Sequence, residues 1–290
     1  MTRKKTPAAT PDAQPSLPSF TTIDVAERNG VALVTLNRPA LHNAFDETLI
    51  AELTQALDSL ESAPRVRALV LLGAGASFCA GADLTWMQRM AAYDYDQNIA
   101  DARALAHLLQ RLATFPKPTI ARVHGPAYGG GVGLVACCDI ALAVTGATFA
   151  LSEAKLGLIP ATIGPYVVEA IGARQARRYM LSGERFEAAE AYRLGLVHDL
   201  VPGVDELDAR VNEILGELLV AGPRAQSAVK ALVRSIAHRP IDERVIADTA
   251  ERIATVRATD EAREGIAAFL SRRSPAWVPE PLRRDKRGKG

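Results

Sequence analysis

The segment HGPAYGGGVGLVACCD, residues 124–139, decides how the rest of the chain is interpreted. An apolar run, Thr119–Val123, precedes it and predicts a buried strand. The glycines at 129–133 allow a sharp turn and let another group approach the backbone N–H donors closely. The small residues that follow predict a helix, whose first N–H groups lack intrahelical partners and lie at the positive end of its dipole. Strand, glycine turn and helix start together predict a site for an anion or a developing oxyanion.

Three interpretations of this segment stay open on its pattern alone. A tight turn with close helix packing is the simplest of them. Residues 131–136 also match the dinucleotide-binding pattern G-x-G-x-x-A, and Glu153 follows at about the expected 20 residues. However, Glu153 does not end the next predicted strand, Ile140–Val144, and the pattern lies in the middle of the chain. The third interpretation, an oxyanion hole, requires a second backbone donor elsewhere.

The overall composition is that of a globular protein without a highly charged partner. The 290 residues are enough for one large domain or two small ones. Hydrophobic residues make up 48% and charged residues 23%, and the net charge of +1 gives no electrostatic case for a nucleic-acid partner. No apolar run approaches the length of a membrane span, so no membrane association is predicted.

The cysteines, the histidines and the N-terminus predict a cytoplasmic protein without a metal site. Cys79, Cys137 and Cys138 lie in apolar contexts and fit reduced, buried thiols better than a disulfide framework. The five histidines show no metal-ligand spacing. Residues 1–19 are basic but have no apolar core, so we expect a disordered leader and not a secretory signal.

The pattern along the chain predicts a strand-rich core at 20–205, a helical region at 206–278 and a basic tail at 279–290. In the core we expect two strands joined by a turn, then alternating helices and strands. The predicted strands lie at 20–27, 31–36, 68–72, 119–123 and 140–144, and the predicted helices of the core begin at about Asp46 and at Ala100. Beyond Ser152 the helices are predicted at about 162–171, 173–182, 187–194, 206–220, 223–237 and 241–272.

Five ordered motifs resemble the crotonase superfamily of acyl-CoA hydratases and isomerases. The motif FCAGADL at 78–84 precedes the glycine segment at the family's spacing. The other matches are LNRPALHNAF at 36–45, FALSEAKLGLIP at 149–160, LGLV at 194–197 and AAFLSRRSPAW at 267–277. Within the superfamily, IPATIGPYVVEAIG and the run Asp83–Met87 look most like bacterial methylglutaconyl-CoA hydratases of leucine and terpenoid breakdown.

The resemblance implies an α/β fold, a crotonase-like spiral of ββα units with a helical C-terminal region that is used in trimerisation. It implies a homotrimer or a dimer of trimers. It also implies an acyl-CoA substrate, with coenzyme A as part of the thioester and no prosthetic group.

The resemblance also assigns the oxyanion donors and the CoA contacts. The donors would be the backbone amides of Ala82 and Gly130, which face the thioester oxygen as it gains negative charge. Ala80, Asp83 and Leu84 would contact coenzyme A. For Arg38 two interpretations stay open, a contact to a CoA phosphate and a surface arginine after a strand.

The acid–base residues depart from the family's pattern. Glu153 matches one of two glutamates that usually act in hydratases of this family, but Gly133 stands where the other is expected. Hydration by a single carboxylate requires that it pass the proton of water to the α-carbon, whereas a double-bond isomerase needs only one proton shuttle. We therefore expect an enoyl-CoA hydratase, with an isomerase and a noncatalytic acyl-CoA-binding protein as alternatives. Helper groups or pocket lining are predicted at Tyr128, Thr162 and Tyr166.

Overall fold

The first two strands of the chain meet at the predicted hairpin. In the computed structural model, which describes residues 19–283, β1 (Ile23–Arg28) pairs antiparallel with β2 (Val31–Leu36). Asn29 and Gly30 connect them with φ angles of 52° and 81°, the positive values that a two-residue type I′ turn requires. The predicted leader, except for residue 19, and the last seven residues of the predicted basic tail lie outside the described residues.

A six-stranded sheet forms the centre of the molecule. The hairpin continues into β3 (Ala68–Gly73), β4 (Thr119–Val123), β6 (Ile140–Val144) and β9 (Asp199–Val201). The strand order is β1-β2-β3-β4-β6-β9, and every pair after the hairpin is parallel. All five residues of β4 are buried, as expected for a central strand covered on both faces. The carboxyl end of β4 leads directly into the glycine segment.

A second sheet has three strands, which alternate along the chain with strands of the first sheet. It consists of β5 (Ala127–Tyr128), β7 (Thr148–Ala150) and β8 (Arg185–Glu187), in the order β5-β7-β8. A strand of the large sheet, a strand of the small sheet and a helix thus follow each other repeatedly. This alternation is the predicted spiral of ββα units.

Three helices of the core each follow a pair of consecutive strands. Helix α1 (Glu47–Ser62) follows the hairpin, α4 (Gly130–Cys137) follows β5, and α5 (Gly164–Ser182) comes after β7. The side chain of Asp46 accepts a hydrogen bond from the Leu49 amide and fixes the start of α1 where the sequence predicts it. Gly172, at φ 75° and ψ 151°, interrupts α5 and divides it as the sequence predicts.

Two helices between β3 and β4 differ from the prediction. Helix α2 (Leu84–Met90) was not expected, because seven residues are too few for a helical period to stand out. Its start is fixed by Asp83, whose side chain accepts hydrogen bonds from two amides of the first turn. Helix α3 (Tyr95–Ala113) begins five residues before the predicted Ala100, because Asp94 and Gln97 form a capping box.

The C-terminal region is helical, with one correction to the predicted helices. It contains α6 (Ala188–Leu194), α7 (Val204–Val220), α8 (Pro223–Ile236), α9 (Glu243–Arg257) and α10 (Asp260–Leu270).

The prediction of one continuous helix at 241–272 is wrong, because two helices, α9 and α10, occupy this range. Thr259 has extended backbone angles, φ −76° and ψ 154°, and its hydroxyl oxygen accepts a hydrogen bond from the Ala262 amide. Since threonine competes for backbone groups in this way, it ends one helix and caps the next. The short strands β8 and β9 also lie in a region that was expected to be helical almost throughout.

The cysteines are free and buried, as predicted. Burial raises the pKa of the Cys79 and Cys138 thiols to about 12, so both are protonated at neutral pH. Residues 19–283 hold no group of three or more His, Cys, Asp or Glu side chains arranged for a metal ion. Within the same range, no helix has the length and apolar character that crossing a membrane requires.

Candidate active site

The backbone around Ala82 is fixed by a short parallel pairing with Phe45. The Phe45 amide donates to the Gly81 carbonyl at 2.6 Å, and the Asp83 amide donates to the Phe45 carbonyl at 2.8 Å. In a parallel bridge of this kind the amide of the middle residue points away from the partner strand. Ala82 is exposed, and its amide donates no backbone hydrogen bond within residues 19–283. This N–H is therefore free to donate a hydrogen bond to a ligand.

A buried ionic cluster holds both sides of this pairing. Arg38 Nη2 lies 3.0 Å from an Asp83 oxygen and 2.9 Å from an Asp46 oxygen, and its Nη1 donates to the Ala44 carbonyl at 2.6 Å. Burial alone would raise the pKa of Asp83, but two α2 amides and Arg38 lower it below its ordinary value. Arg38 and Asp83 thus have structural partners, and their assignment as CoA contacts stays a prediction.

The glycine turn brings the second donor segment against the first. Gly129 has φ 50° and ψ −118° just before α4, and its amide donates to the Ala150 carbonyl. The amide of Gly130, the first residue of α4, donates no backbone hydrogen bond among the described residues. A Cβ on Gly129 would lie 3.1 Å from Glu153 Oε1 and 3.8 Å from Gly81 Cα. The two donor segments and the Glu153 carboxylate therefore meet at Gly129.

Glu153 is held in a short 3-10 turn (Glu153–Leu156) that follows β7. Its Oε2 atom is buried and has no hydrogen-bond partner within residues 19–283. Burial raises the pKa of this carboxyl above its ordinary value, and only a contact with its own backbone opposes the shift. A half-buried carboxylate with an unused oxygen is a candidate proton acceptor.

One cavity of about 490 Å³ contains these groups. Five of the seven predicted site residues line it: Ala80, Ala82, Leu84, Gly130 and Glu153. The other two, Arg38 and Asp83, lie in the ionic cluster and not in the lining. Most of the remaining lining is apolar. It comes from the segment before α1, from α2 and α3, from the 3-10 turn and from the loop before α5: Phe45, Trp86, Met87, Met90, Leu105, Leu156, Leu158, Ile159, Pro160 and Ile163.

The side chain of Ile163 fills the place of the missing glutamate. A Cβ on Gly133 would lie 2.2 Å from Ile163 Cγ2 and 2.9 Å from Ile163 Cβ, and 3.6 Å from Leu109 Cδ2. Real Cβ atoms do not approach other carbons so closely, so this backbone admits no side chain at Gly133 while Ile163 is present. Glycine at position 133 therefore allows α4 to pack closely against Ile163, and a glutamate would not fit there.

Of the three predicted helper residues, only Thr162 lines the cavity. The Tyr128 hydroxyl lies 2.8 Å from Thr148 Oγ1, and Arg185 stacks over the Tyr128 ring. Tyr166 lines a different cavity beside Cys137, and burial raises the pKa of its phenol. The alternative of catalytic tyrosines at these positions is therefore not supported by their location.

The wall contributed by α2 and α3 was not predicted from the sequence. This wall includes a second carboxylate, Asp101, whose Oδ1 accepts a hydrogen bond from Trp86 Nε1 at 3.1 Å. The signal was present in the sequence, because Asp101 lies four residues before Leu105 and so shares the apolar face of α3. An acid on an apolar helix face indicates either a buried polar contact or a site.

Residues 26–280 match the protein family described as Enoyl-CoA hydratase/isomerase. The chain belongs to this family. A crystal structure of an enoyl-CoA hydratase from Shewanella pealeana is 45% identical, with a TM-score of 0.86 over 89% of this chain and 96% of that one. The 2,3-dehydroadipyl-CoA hydratase of Escherichia coli is 32% identical over 87% of this chain and 96% of its own length. The crotonyl-CoA hydratase of Syntrophomonas wolfei is 30% identical, with coverages of 90% and 99%.

Membership of the enoyl-CoA hydratase/isomerase family confirms the predicted crotonase superfamily, its α/β fold and the enzyme class, an enoyl-CoA hydratase with an isomerase as alternative. Enzymes of this family act on CoA thioesters without a prosthetic group. The closer similarity to methylglutaconyl-CoA hydratases, the trimer and the cytoplasmic location stay predictions.

Proposed function

We propose that this protein adds water to the double bond of 2-enoyl-CoA thioesters, with Glu153 as its only catalytic carboxylate. The observation that carries the proposal is the meeting of three groups in one cavity. The exposed Ala82 amide, the Gly130 amide at the start of α4 and the Glu153 carboxylate lie around Gly129. Such a site suits a reaction in which a thioester oxygen gains charge while a proton moves nearby.

The proposed reaction balances with one carboxylate. Glu153 takes a proton from water, and the oxygen of that water forms a bond to the β-carbon. The electron pair of the double bond moves towards the thioester oxygen, where the Ala82 and Gly130 amides stabilise the negative charge. Glu153 then returns the same proton to the α-carbon, which leaves a 3-hydroxyacyl-CoA and regenerates the carboxylate.

The surroundings of Glu153 support both of its proposed roles. Because burial raises the pKa of its carboxyl, the ionised form is a stronger base than an exposed glutamate. For the same reason its protonated form exists at higher pH than that of an exposed glutamate, and this form can donate its proton to the α-carbon. Its buried Oε2 has no hydrogen-bond donor within residues 19–283, so no protein group competes with substrate or water for the proton.

An enoyl-CoA isomerase is the second candidate, and one observation favours it. Ile163 fills the space of a second glutamate, so the cavity is left with an apolar surface at that point. A shuttle between two carbon atoms needs no bound water and tolerates such a surface. A noncatalytic acyl-CoA-binding protein would not need the Glu153 carboxylate beside the two free amides.

The relatives, the motif similarity and the cavity lining bear on the identity of the acyl group. The relatives include a hydratase named for crotonyl-CoA and one named for the carboxylated 2,3-dehydroadipyl-CoA. The motif similarity adds methylglutaconyl-CoA, a branched and carboxylated candidate. The lining favours an apolar acyl chain, because leucine, isoleucine and methionine make up most of its large side chains.

Turnover in ¹⁸O-labelled water tests the proposal. A hydratase converts crotonyl-CoA or a branched 2-enoyl-CoA to a 3-hydroxyacyl-CoA that carries the label at the β-hydroxyl. Substitution Glu153→Gln, which keeps the size of the side chain and removes its basicity, should lower kcat about 10²- to 10⁴-fold. Binding of a saturated acyl-CoA, measured by calorimetry, should change little.

Three other outcomes would contradict parts of the proposal. Double-bond migration in a 3-enoyl-CoA without label, and no hydration of any enoyl-CoA, would establish the isomerase. Wild-type turnover in Glu153→Gln would remove Glu153 from catalysis. Acyl-CoA binding without either reaction would establish the noncatalytic protein.

A further inference from the structure

The second carboxylate in the cavity, Asp101, has one oxygen in use and one free. Oδ1 accepts the hydrogen bond from the Trp86 indole, and Oδ2 has no hydrogen-bond donor within residues 19–283. Oδ2 is not fully buried, and Asp101 belongs to the residues that line the cavity. Asp101 therefore presents an unpaired carboxylate oxygen to whatever occupies the cavity.

Asp101 lines the same cavity as the proposed oxyanion donors. Trp86, whose indole donates to Asp101, lies in the first turn of α2, four residues after the proposed donor Ala82, and both residues line this cavity. Asp101 and Leu105 share one face of α3 and both line the cavity. A cavity of about 490 Å³ is large enough for an acyl thioester and too small for the nucleotide of coenzyme A as well.

The charges around this wall are negative. Of the residues that line the cavity, the ionisable ones are Asp101 and Glu153, and none is an arginine, lysine or histidine. Glu47 adds a further negative field at Asp101, although Arg89 neutralises part of it. A carboxylate at the end of an acyl chain would be repelled by these negative charges in the cavity. It would also lose its hydration without gaining a cationic partner.

We propose that Asp101 is a specificity-determining residue that excludes acyl chains ending in a carboxylate and selects uncharged ones. The inference rests on the proposed function, because it places the acyl chain in this cavity. It deepens that function by naming the substrate class, and it sets the protein apart from its relative named for 2,3-dehydroadipyl-CoA. Within the branched candidates, it favours an uncharged chain over methylglutaconyl-CoA.

A matched pair of substrates tests the inference. The compounds 2-hexenoyl-CoA and 2,3-dehydroadipyl-CoA have the same chain length and differ in the terminal carboxylate. For the wild-type protein we expect kcat/KM to favour hexenoyl-CoA at least 100-fold. For Asp101→Asn, in which the amide oxygen still accepts from Trp86, the preference should fall at least tenfold, mainly through a lower KM for dehydroadipyl-CoA.

Asp96→Asn is the control, since Asp96 lies exposed in the first turn of the same helix. It removes the same charge from α3 outside the cavity and should leave the preference unchanged. Binding provides a readout that does not need turnover. Calorimetry should show that Glu153→Gln binds hexanoyl-CoA more tightly than adipyl-CoA. In the double variant Glu153→Gln, Asp101→Asn, this difference in affinity should fall at least tenfold.

The outcomes separate the inference from the proposed function. Equal kcat/KM of the wild-type protein for both substrates, or an unchanged preference in Asp101→Asn, would overturn the role of Asp101. A fall in kcat for both substrates in Asp101→Asn would place this carboxylate in the chemistry and also overturn it. Absence of hexenoyl-CoA hydration by the wild-type protein would instead overturn the proposed function, and the binding comparison would still decide on Asp101.

Discussion

At Glu153, one carboxylate oxygen lies beside Gly129 and the other is buried without a donor among residues 19–283. An ionised carboxylate in such a place lowers the stability of the folded protein, because it has lost hydration without gaining a partner. The raised pKa expresses the same effect, since the folded protein holds this proton more tightly than the unfolded chain does. The proposed base is therefore kept at a cost to stability.

Substitution Glu153→Gln should consequently raise the melting temperature at pH 7 by about 2–4 °C, which corresponds to ~1 kcal/mol for a chain of this size. The gain is largest above the raised pKa of Glu153 and disappears as the pH falls below the ordinary carboxyl pKa of 4.5, because Glu153 is then protonated in both the folded and the unfolded state. Scanning calorimetry at several pH values measures it.

Glu217→Gln serves as the comparison for this measurement, because Glu217 is exposed on α7. Its melting temperature should stay within about 1 °C of the wild-type value. An equal or lower melting temperature of Glu153→Gln at pH 7 would show that the folded protein stabilises the Glu153 carboxylate.

Gly133 shows how one neighbour reverses the usual effect of a substitution. Glycine to alanine inside a helix ordinarily stabilises by about 1 kcal/mol. At Gly133 the new Cβ would meet Ile163 Cγ2 at 2.2 Å, so we expect Gly133→Ala to destabilise by about 1–3 kcal/mol. Urea unfolding measures the difference.

The matched variant is Gly216→Ala in α7, where nothing lies within 4 Å of the added Cβ. It should stabilise the protein by about 0.5–1 kcal/mol. If both substitutions stabilised the protein, Ile163 could not be filling the space of the missing glutamate.

At the scale of elements, Arg38 connects β2 to the start of α1 and to the start of α2. Its guanidinium contacts Asp46 and Asp83, the residues that cap these two helices. The three side chains are 15%, 17% and 8% exposed, so removal of the cation leaves two poorly hydrated carboxylates close together.

Substitution Arg38→Met should therefore destabilise the protein by about 2–4 kcal/mol in urea unfolding. The comparison is Arg263→Met, which removes an exposed pair with Asp260 on α10 and should cost less than about 0.5 kcal/mol. Similar small losses in both variants would mean that the cluster contributes no more than a surface pair.

For the whole molecule, the core and the C-terminal helices are joined by long-range contacts. Arg67 after α1 donates to the Ala221 and Trp277 carbonyls at 2.8 and 3.1 Å, and Lys230 on α8 pairs with Asp139 at 2.5 Å. The domain boundaries predicted at 205 and 278 are not tested by these contacts and stay predictions. The outer surface of the helical region is unusually apolar, with Phe269 80% and Leu270 75% exposed.

This surface fits the oligomer that the family resemblance implies. Light scattering after size exclusion should give about three or six times the chain mass of 31.0 kDa. Replacement of Phe269 and Leu270 by serine should lower the measured mass if they are buried between subunits, whereas Val204→Ser, at the start of α7, should not. A wild-type mass of one chain would contradict the trimer.

The sequence by itself determined the features that short windows control. The turn at Asn29-Gly30, the cap at Asp46 and the break at Gly172 depend on local backbone preferences, and all were predicted. The family was likewise predictable, because its motifs are runs of adjacent residues. Glu153 was selected from such a run and lies in the cavity lining, and its catalytic role stays a prediction.

Only the tertiary structure decided which distant residues meet. Asp101 reaches the cavity because α2, too short to show a period, brings Trp86 against α3. Ile163 fills the space above Gly133 although 30 residues of chain separate them. Arg38, which the sequence places only after a strand, is held by two carboxylates that lie 8 and 45 residues further along the chain. Contacts of this kind depend on how elements pack, and packing of distant segments leaves no periodic pattern in the sequence.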